Sequence, residues 1–158
     1  MFHLTVWHDL CKSFIQKQIN KTTMEQLREL GDLAIAIYEE GDKYLGTLSR
    51  SLEKKSRFGN DLLYSMAVMC CEKLFVALLY NYDEFAEHHM PIALYNDAAK
   101  VETELTPEMK ETCRLINKFE SICSIDGFGY KTPSDEDLKK MILGLQDIHV
   151  LVTKRIKG

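Results

Sequence analysis

The chain has 158 residues, 46% of them hydrophobic and 28% charged, with a formal net charge of −4 and a pI near 5.7. That length suits one domain and can bury a core without a disulfide or metal to hold it. The acidic balance argues against non-specific nucleic-acid binding, which leaves a basic footprint, while permitting a local basic patch.

The segment Met1 to Asp9 lacks a basic start and a long apolar run, so it does not read as a signal peptide. A helix is expected near 4–19 as an N-terminal extension (1–22), followed by a bundle over 23–156. Leu27, Leu30, Ala34, Ile37, Gly41, Leu45, Leu48 and Leu52 recur at steps of three and four, a nearly heptad stripe that predicts a helix over 23–56. Gly41 and Gly46 inside it mark a kink, a close helix contact or a break. Phe58-Gly59 then makes a short connection to an antiparallel neighbour at 60–81.

That next helix, from Ser65 to Tyr80, is apolar nearly all round but carries Glu72 and Lys73 in its middle. Two charges near a bilayer centre cost about 2.5–3.5 kcal/mol each, so the segment reads as the central helix of a soluble bundle, not a membrane span. Glu72 and Lys73 are then either satisfied structural groups or a contact for a ligand or partner.

His88-His89 follow in a loop before Met90-Pro91. Adjacent positions diverge, and neither HxxxH, HExxH nor a pair of Glu-x-x-His units is present, so no metal and no cofactor is expected. A helix is expected at 91–102. Thr106-Pro107 and Thr132-Pro133 each read as an N-cap threonine with proline at the first helical position, opening helices at 107–124 and 134–156. Met109, Cys113, Ile116, Phe119 and Cys123 form one apolar stripe, and Leu138, Met141, Leu145, Ile148 and Val152 another. No alternating β-branched run and no Asn-Gly or Asp-Gly hairpin signal occurs; Asp126-Gly127-Phe128-Gly129 reads as a turn between helices. The fold class is therefore all-α, an antiparallel bundle of about five or six helices in one domain.

The five cysteines, Cys11, Cys70, Cys71, Cys113 and Cys123, sit mostly at apolar helical positions without a CxxC, which suits reduced core residues and a cytoplasmic setting. No GxSxG, P-loop or GxGxxG occurs. Arg50, Lys54 and Arg57 share one helix face as a basic patch. If it met the C-terminal group Lys154, Arg155 and Lys157 in space, the two would make a phosphate-sized site. Acidic residues gather instead around Asp83, Glu84, Glu87, Asp97, Glu102 and Glu104, a polarity suited to steering a partner or a second copy.

The helix Met66 to Leu79 with its acid-then-lysine pair, the loop carrying His89, and the closing segment Gly129-Tyr130-Lys131-Thr132-Pro133 resemble the HEPN family (higher eukaryotes and prokaryotes nucleotide-binding domain). The resemblance spans roughly residues 25–156. It implies an all-α bundle, a homodimer, and a role around nucleotides or RNA, often beside a nucleotidyltransferase partner. Ribonuclease members carry an arginine, four to six residues, then a histidine. None of His3, His8, His88, His89 or His149 has an arginine so placed, and the position before Tyr130 that is arginine in another branch is Gly129. The expectation is a non-catalytic binding or interaction module, with Glu72, Lys73, His88, His89, Tyr130 and Lys131 as candidate ligand contacts. The alternatives are a divergent ribonuclease or nucleotide-processing enzyme, and a purely structural adaptor.

Overall fold

The computed structural model describes residues 3–53, 57–119 and 132–158, with side chains from residue 25 onward, Leu27 excepted. Five helices and no strand are found among the described residues: α1 His3–Glu53, α2 Asn60–Asn81, α3 Pro91–Ala98, α4 Pro107–Phe119 and α5 Asp135–Lys157. The all-α class expected from the periodicity is what forms. The expected separation between helices 4–19 and 23–56 is absent, because α1 runs on without interruption. Asn20, Thr22 and Thr23 are weak helix formers, but with no glycine or proline among them the helix has nothing to end it. The expected turn at 126–129, together with Cys123, Tyr130, Lys131 and Lys54, lies outside the described residues.

Only α2, among these five, touches all the others. By length and composition α2 could cross a membrane, yet ten of its residues, from Leu63 to Leu79, are buried in the bundle. Tyr64, Cys71 and Phe75 face α3 and α4: the Tyr64 hydroxyl donates to the Ile116 carbonyl (2.9 Å), the Cys71 and Cys113 sulfurs lie 4.0 Å apart, and Phe75 meets Tyr95 edge to face. On the other side, Gly41 of α1 lets the two backbones close up. A Cβ there would stand 3.3 Å from Leu74 and from the Lys73 Cβ, and the Cys70 thiol donates to the Gly41 carbonyl. Of the roles open to Gly41, close contact is the one it takes.

All five stripe residues of α5 are buried, and so are Ile142 and Leu151. α1 lies antiparallel to α5, since Tyr38 meets His149 and Thr153 while Ser49 meets Gln146. α1 therefore packs on two helices at once and needs a wider apolar face than a single seam, which brings Tyr38 into the core beside Ala34, Leu45 and Leu48. Nearer its start, Glu25, Gln26, Arg28, Glu29 and Asp32 are exposed.

The helix ends show which local signals decided. Thr106 caps α4 as expected, its hydroxyl accepting the Met109 N–H, and Pro91 opens α3. Thr132 does not cap α5. Ser134 does, in a reciprocal capping box with Asp137. Thr132 instead donates to Asp61 at the start of α2 (2.9 Å), and Asn60 donates to the Pro133 carbonyl and to Asp135, so the first turns of α2 and α5 are tied together. α2 ends with Asp83 in the left-handed region (φ 60°), where the Glu84 N–H reaches the Leu79 carbonyl and the Asp83 N–H that of Tyr80. This Schellman pattern usually takes glycine, and aspartate tolerates it. α3 closes at Ala98, short of the expected 102, although turn hydrogen bonds run on to the Glu102 N–H.

α4 crosses α5 at Gly144, where a methyl group would overlap Thr112 Oγ1 and lie 2.7 Å from its Cγ2. Gly144→Ala should lose about 1–3 kcal/mol, read as a lower urea midpoint with unchanged slope. Adding Thr112→Ala should recover much of that loss, a coupling that two separate, additive sites would lack.

Candidate functional site

Glu72 and Lys73 stand on the outer side of α2, not in the core; each side chain is 31% exposed. Lys73 reaches back to Glu40 of α1 at 2.8 Å. Its hydrogen bond to Glu40 outweighs desolvation and holds the Lys73 ammonium above its ordinary pKa, while the same contact lowers that of Glu40. An exposed pair of this kind contributes about 0–1 kcal/mol, so Lys73 is not the buried charge that would make its removal costly.

Glu72 points the other way and meets His89 Nδ1 at 2.9 Å. The chain-reversing end of α2 makes this contact, because the left-handed Asp83 turns the segment 84–90 back along the helix. His88 diverges from its neighbour, as adjacent residues on an extended chain do, and its Nδ1 lies 2.7 Å from Asp97 on α3. Lys100 holds the second Asp97 oxygen at 2.7 Å. Lys100 first, then His88, lowers the Asp97 carboxyl below its usual range. Four of the candidate residues, Glu72, Lys73, His88 and His89, thus lie on the middle of α2 and in the loop after it, in three pairs. Their polar atoms do not converge on a shared point.

The basic patch does not form the composite site considered from the sequence. Arg50 donates to Thr47 one turn back, and Arg57 is exposed. The C-terminal basic group lies near Tyr38, with Lys157 over its ring at 4.9 Å. That is twelve residues, about 18 Å, along α1 from Arg50.

The C-terminal charges have a different partner, which sequence reasoning missed. Arg155 grips Glu102 through Nε (2.5 Å) and Nη2 (3.0 Å), and Tyr82 donates to the same carboxylate at 2.8 Å, as does the Glu104 N–H. Glu104 in turn holds Lys154 and the same Arg155 Nη2, each within 2.8 Å. Glu102 is only 2% exposed. An ionised carboxylate so deeply placed is tolerable because all of its bonds come from donors, one of them a forked guanidinium. Bonds from Arg155, ahead of the backbone and Tyr82, carry its pKa down to about 2 against the opposing effect of burial. The signal in the sequence is a Glu-x-Glu in the loop before α4 opposite a Lys-Arg pair at the end of α5. Only the fold brings the two together.

A third cluster joins α1 to α5. His149 Nε2 lies 2.8 Å from Asp42 and 3.0 Å from the Tyr38 hydroxyl, Tyr38 meets Thr153 Oγ1 at 2.8 Å, and Thr153 donates to the His149 carbonyl. One arrangement accounts for all of these contacts: Tyr38 donates to Thr153, and the His149 Nε2–H is shared between Asp42 and the Tyr38 oxygen.

No group of three or more His, Cys, Asp or Glu side chains suited to a metal occurs among the described residues. Burial pushes the Cys70 thiol up to about 12, opposite to what a nucleophilic thiolate needs. An open cleft of about 360 Å³ at the shared end of α1, α2 and α5 is lined by Leu52, Phe58, Asn60, Asp135 and Lys139 among others, with neither histidine nor cysteine. In comparisons with known proteins, no family model, no curated protein and no solved structure matches the chain.

Because the Glu102 carboxyl has a lower pKa folded than its ordinary 4.5, its bonds stabilise the fold fully above pH 4.5. That contribution fades as pH falls from 4.5 toward 2. Arg155→Gln removes the main cause, so its acid-unfolding midpoint should lie well above that of the wild type. Coincident acid transitions in far-ultraviolet circular dichroism would contradict this assignment.

Proposed function

We propose that the chain is a non-catalytic, HEPN-like helical binding module that acts as a homodimer in a cytoplasmic setting, with a nucleotide, an RNA or a nucleotidyltransferase-type protein as its partner. The observation that carries this reading is the way its candidate polar groups are spent. Glu72 faces His89, His88 faces Asp97 and Lys73 faces Glu40. Acid–base catalysis needs such groups within reach of one reacting centre, with a donor beside the charge that develops. Groups that brace a loop and two helices serve recognition better than proton transfer. The absence of an arginine five to seven residues before any histidine supports the same reading.

One observation favours an enzyme instead. The Glu72–His89 contact is a carboxylate–imidazole pair on an accessible loop, His89 being 81% exposed, and such a pair orients a general base. Labelled RNA incubated with the wild type, His88→Ala and His89→Ala separates the two. The binding reading predicts no cleavage by any of the three and a thermal shift with at least one member of a nucleotide and short-RNA panel. Cleavage by the wild type that is lost in His89→Ala would replace it with the enzymatic reading. Neither cleavage nor any shift would leave a structural adaptor.

A further inference from the structure

α2 is apolar nearly all round, yet one of its sides is uncovered. Leu62, Met66, Met69, Lys73, Val76 and Tyr80 follow one another at steps of four and three, which places them on one face. All six are partly or largely exposed, Leu62 at 46% and Met69 at 40%. Phe85, 67% exposed, extends the face by resting edge-on against Tyr80. On the α1 side, Glu40, Lys43, Tyr44 and Thr47 form a shallow groove with Met66. Lys73 interrupts the apolar run only in part, since its ammonium is drawn aside to Glu40.

We propose that this face is the seat of a second copy of the chain, docked with its own α2 antiparallel to the first across a two-fold axis near residue 71. This deepens the self-association in the function proposed above by naming the surface. An isologous interface must match itself, and the spacing does. About that axis Leu62 meets the partner copy's Tyr80 position, Met66 meets Val76 and Met69 meets the aliphatic stem of Lys73. Charge agrees as well. On α2 itself the face carries one cation, Lys73, with Glu72 and Glu40 on its flanks and Lys43 in the α1 groove, and the two-fold brings the second copy's Glu72 to about 4.5 Å from Lys73 along the helix axis at 1.5 Å per residue.

The size is also right. α2 is about 33 Å long, and two helices packed 8–10 Å apart present a width of about 18 Å. The resulting face is roughly 600 Å² before side-chain relief and Phe85 are added, close to the ~800 Å² per partner that a stable interface takes.

Light scattering of the full chain at micromolar concentration should give twice the monomer mass. Met69→Lys should weaken the dimer at least about 30-fold, because the substitution acts on both sides of the axis, while Val150→Lys on the open side of α5 should leave the mass unchanged. An equal mixture of Leu62→Cys and Tyr80→Cys chains should cross-link unlike to unlike on mild oxidation. A dimer that survives Met69→Lys overturns the face while leaving self-association intact. A wild type of monomer mass overturns both, and so does a monomer that instead partitions into phosphatidylglycerol-containing vesicles.

Discussion

The structure depends on the burial of one helix. α2 has little polar surface to offer water, so the four other helices pack against most of it, and each does so with a specific device. Gly41 gives α1 its close approach. The Cys71–Cys113 and Tyr64–Ile116 contacts seat α4. Asn60, with Thr132 and Asp61, lashes the start of α5 to that of α2. Phe75 and Tyr95 join α3. Fully burying a large apolar side chain stabilises by about 1.5–3 kcal/mol, and α2 buries six of them together with two alanines and two cysteines, against which α5 sets seven of its own.

Charge is then used to close what burial leaves open. The loop after α2 is held by Glu72 and Asp97 through two histidines, and the loop between α3 and α4 by Arg155 and Lys154 through two glutamates. Part of the acidic and basic groups that look like surface poles in the sequence pair within one chain, Lys154 and Arg155 with Glu102 and Glu104. That leaves apolar recognition, for which the uncovered side of α2 offers Leu62, Met69 and the adjoining Phe85.

Much of the architecture was legible because it rests on local periodicity. The stripe of α5, the span of α2, the prolines at α3 and α4 and the central place of α2 all follow from spacing and composition. What stayed illegible depends on long-range packing. Tyr38 enters the core only because α1 meets α5 as well as α2. Thr132 gives way to Ser134 as the cap because Asp61, seventy-one residues earlier in the chain, takes its hydroxyl. Glu102 looks like any loop acid until Arg155, fifty-three residues later, reaches it. The candidate site was legible as residue types on the middle of α2 and in the loop after it, but their division into three pairs was not, since each pair draws its second member from a different element. Tyr130, Lys131 and Lys54 lie outside the described residues.

Amide hydrogen exchange in the native state tests the central place of α2 most directly. The amides of Tyr64 to Leu79 should exchange only through global unfolding, with protection matching the full unfolding free energy, while those of Glu25 to Asp32 exchange by local opening. Fast exchange along Tyr64–Leu79 in water, slowed only by detergent or lipid, would contradict a bundle built around that helix.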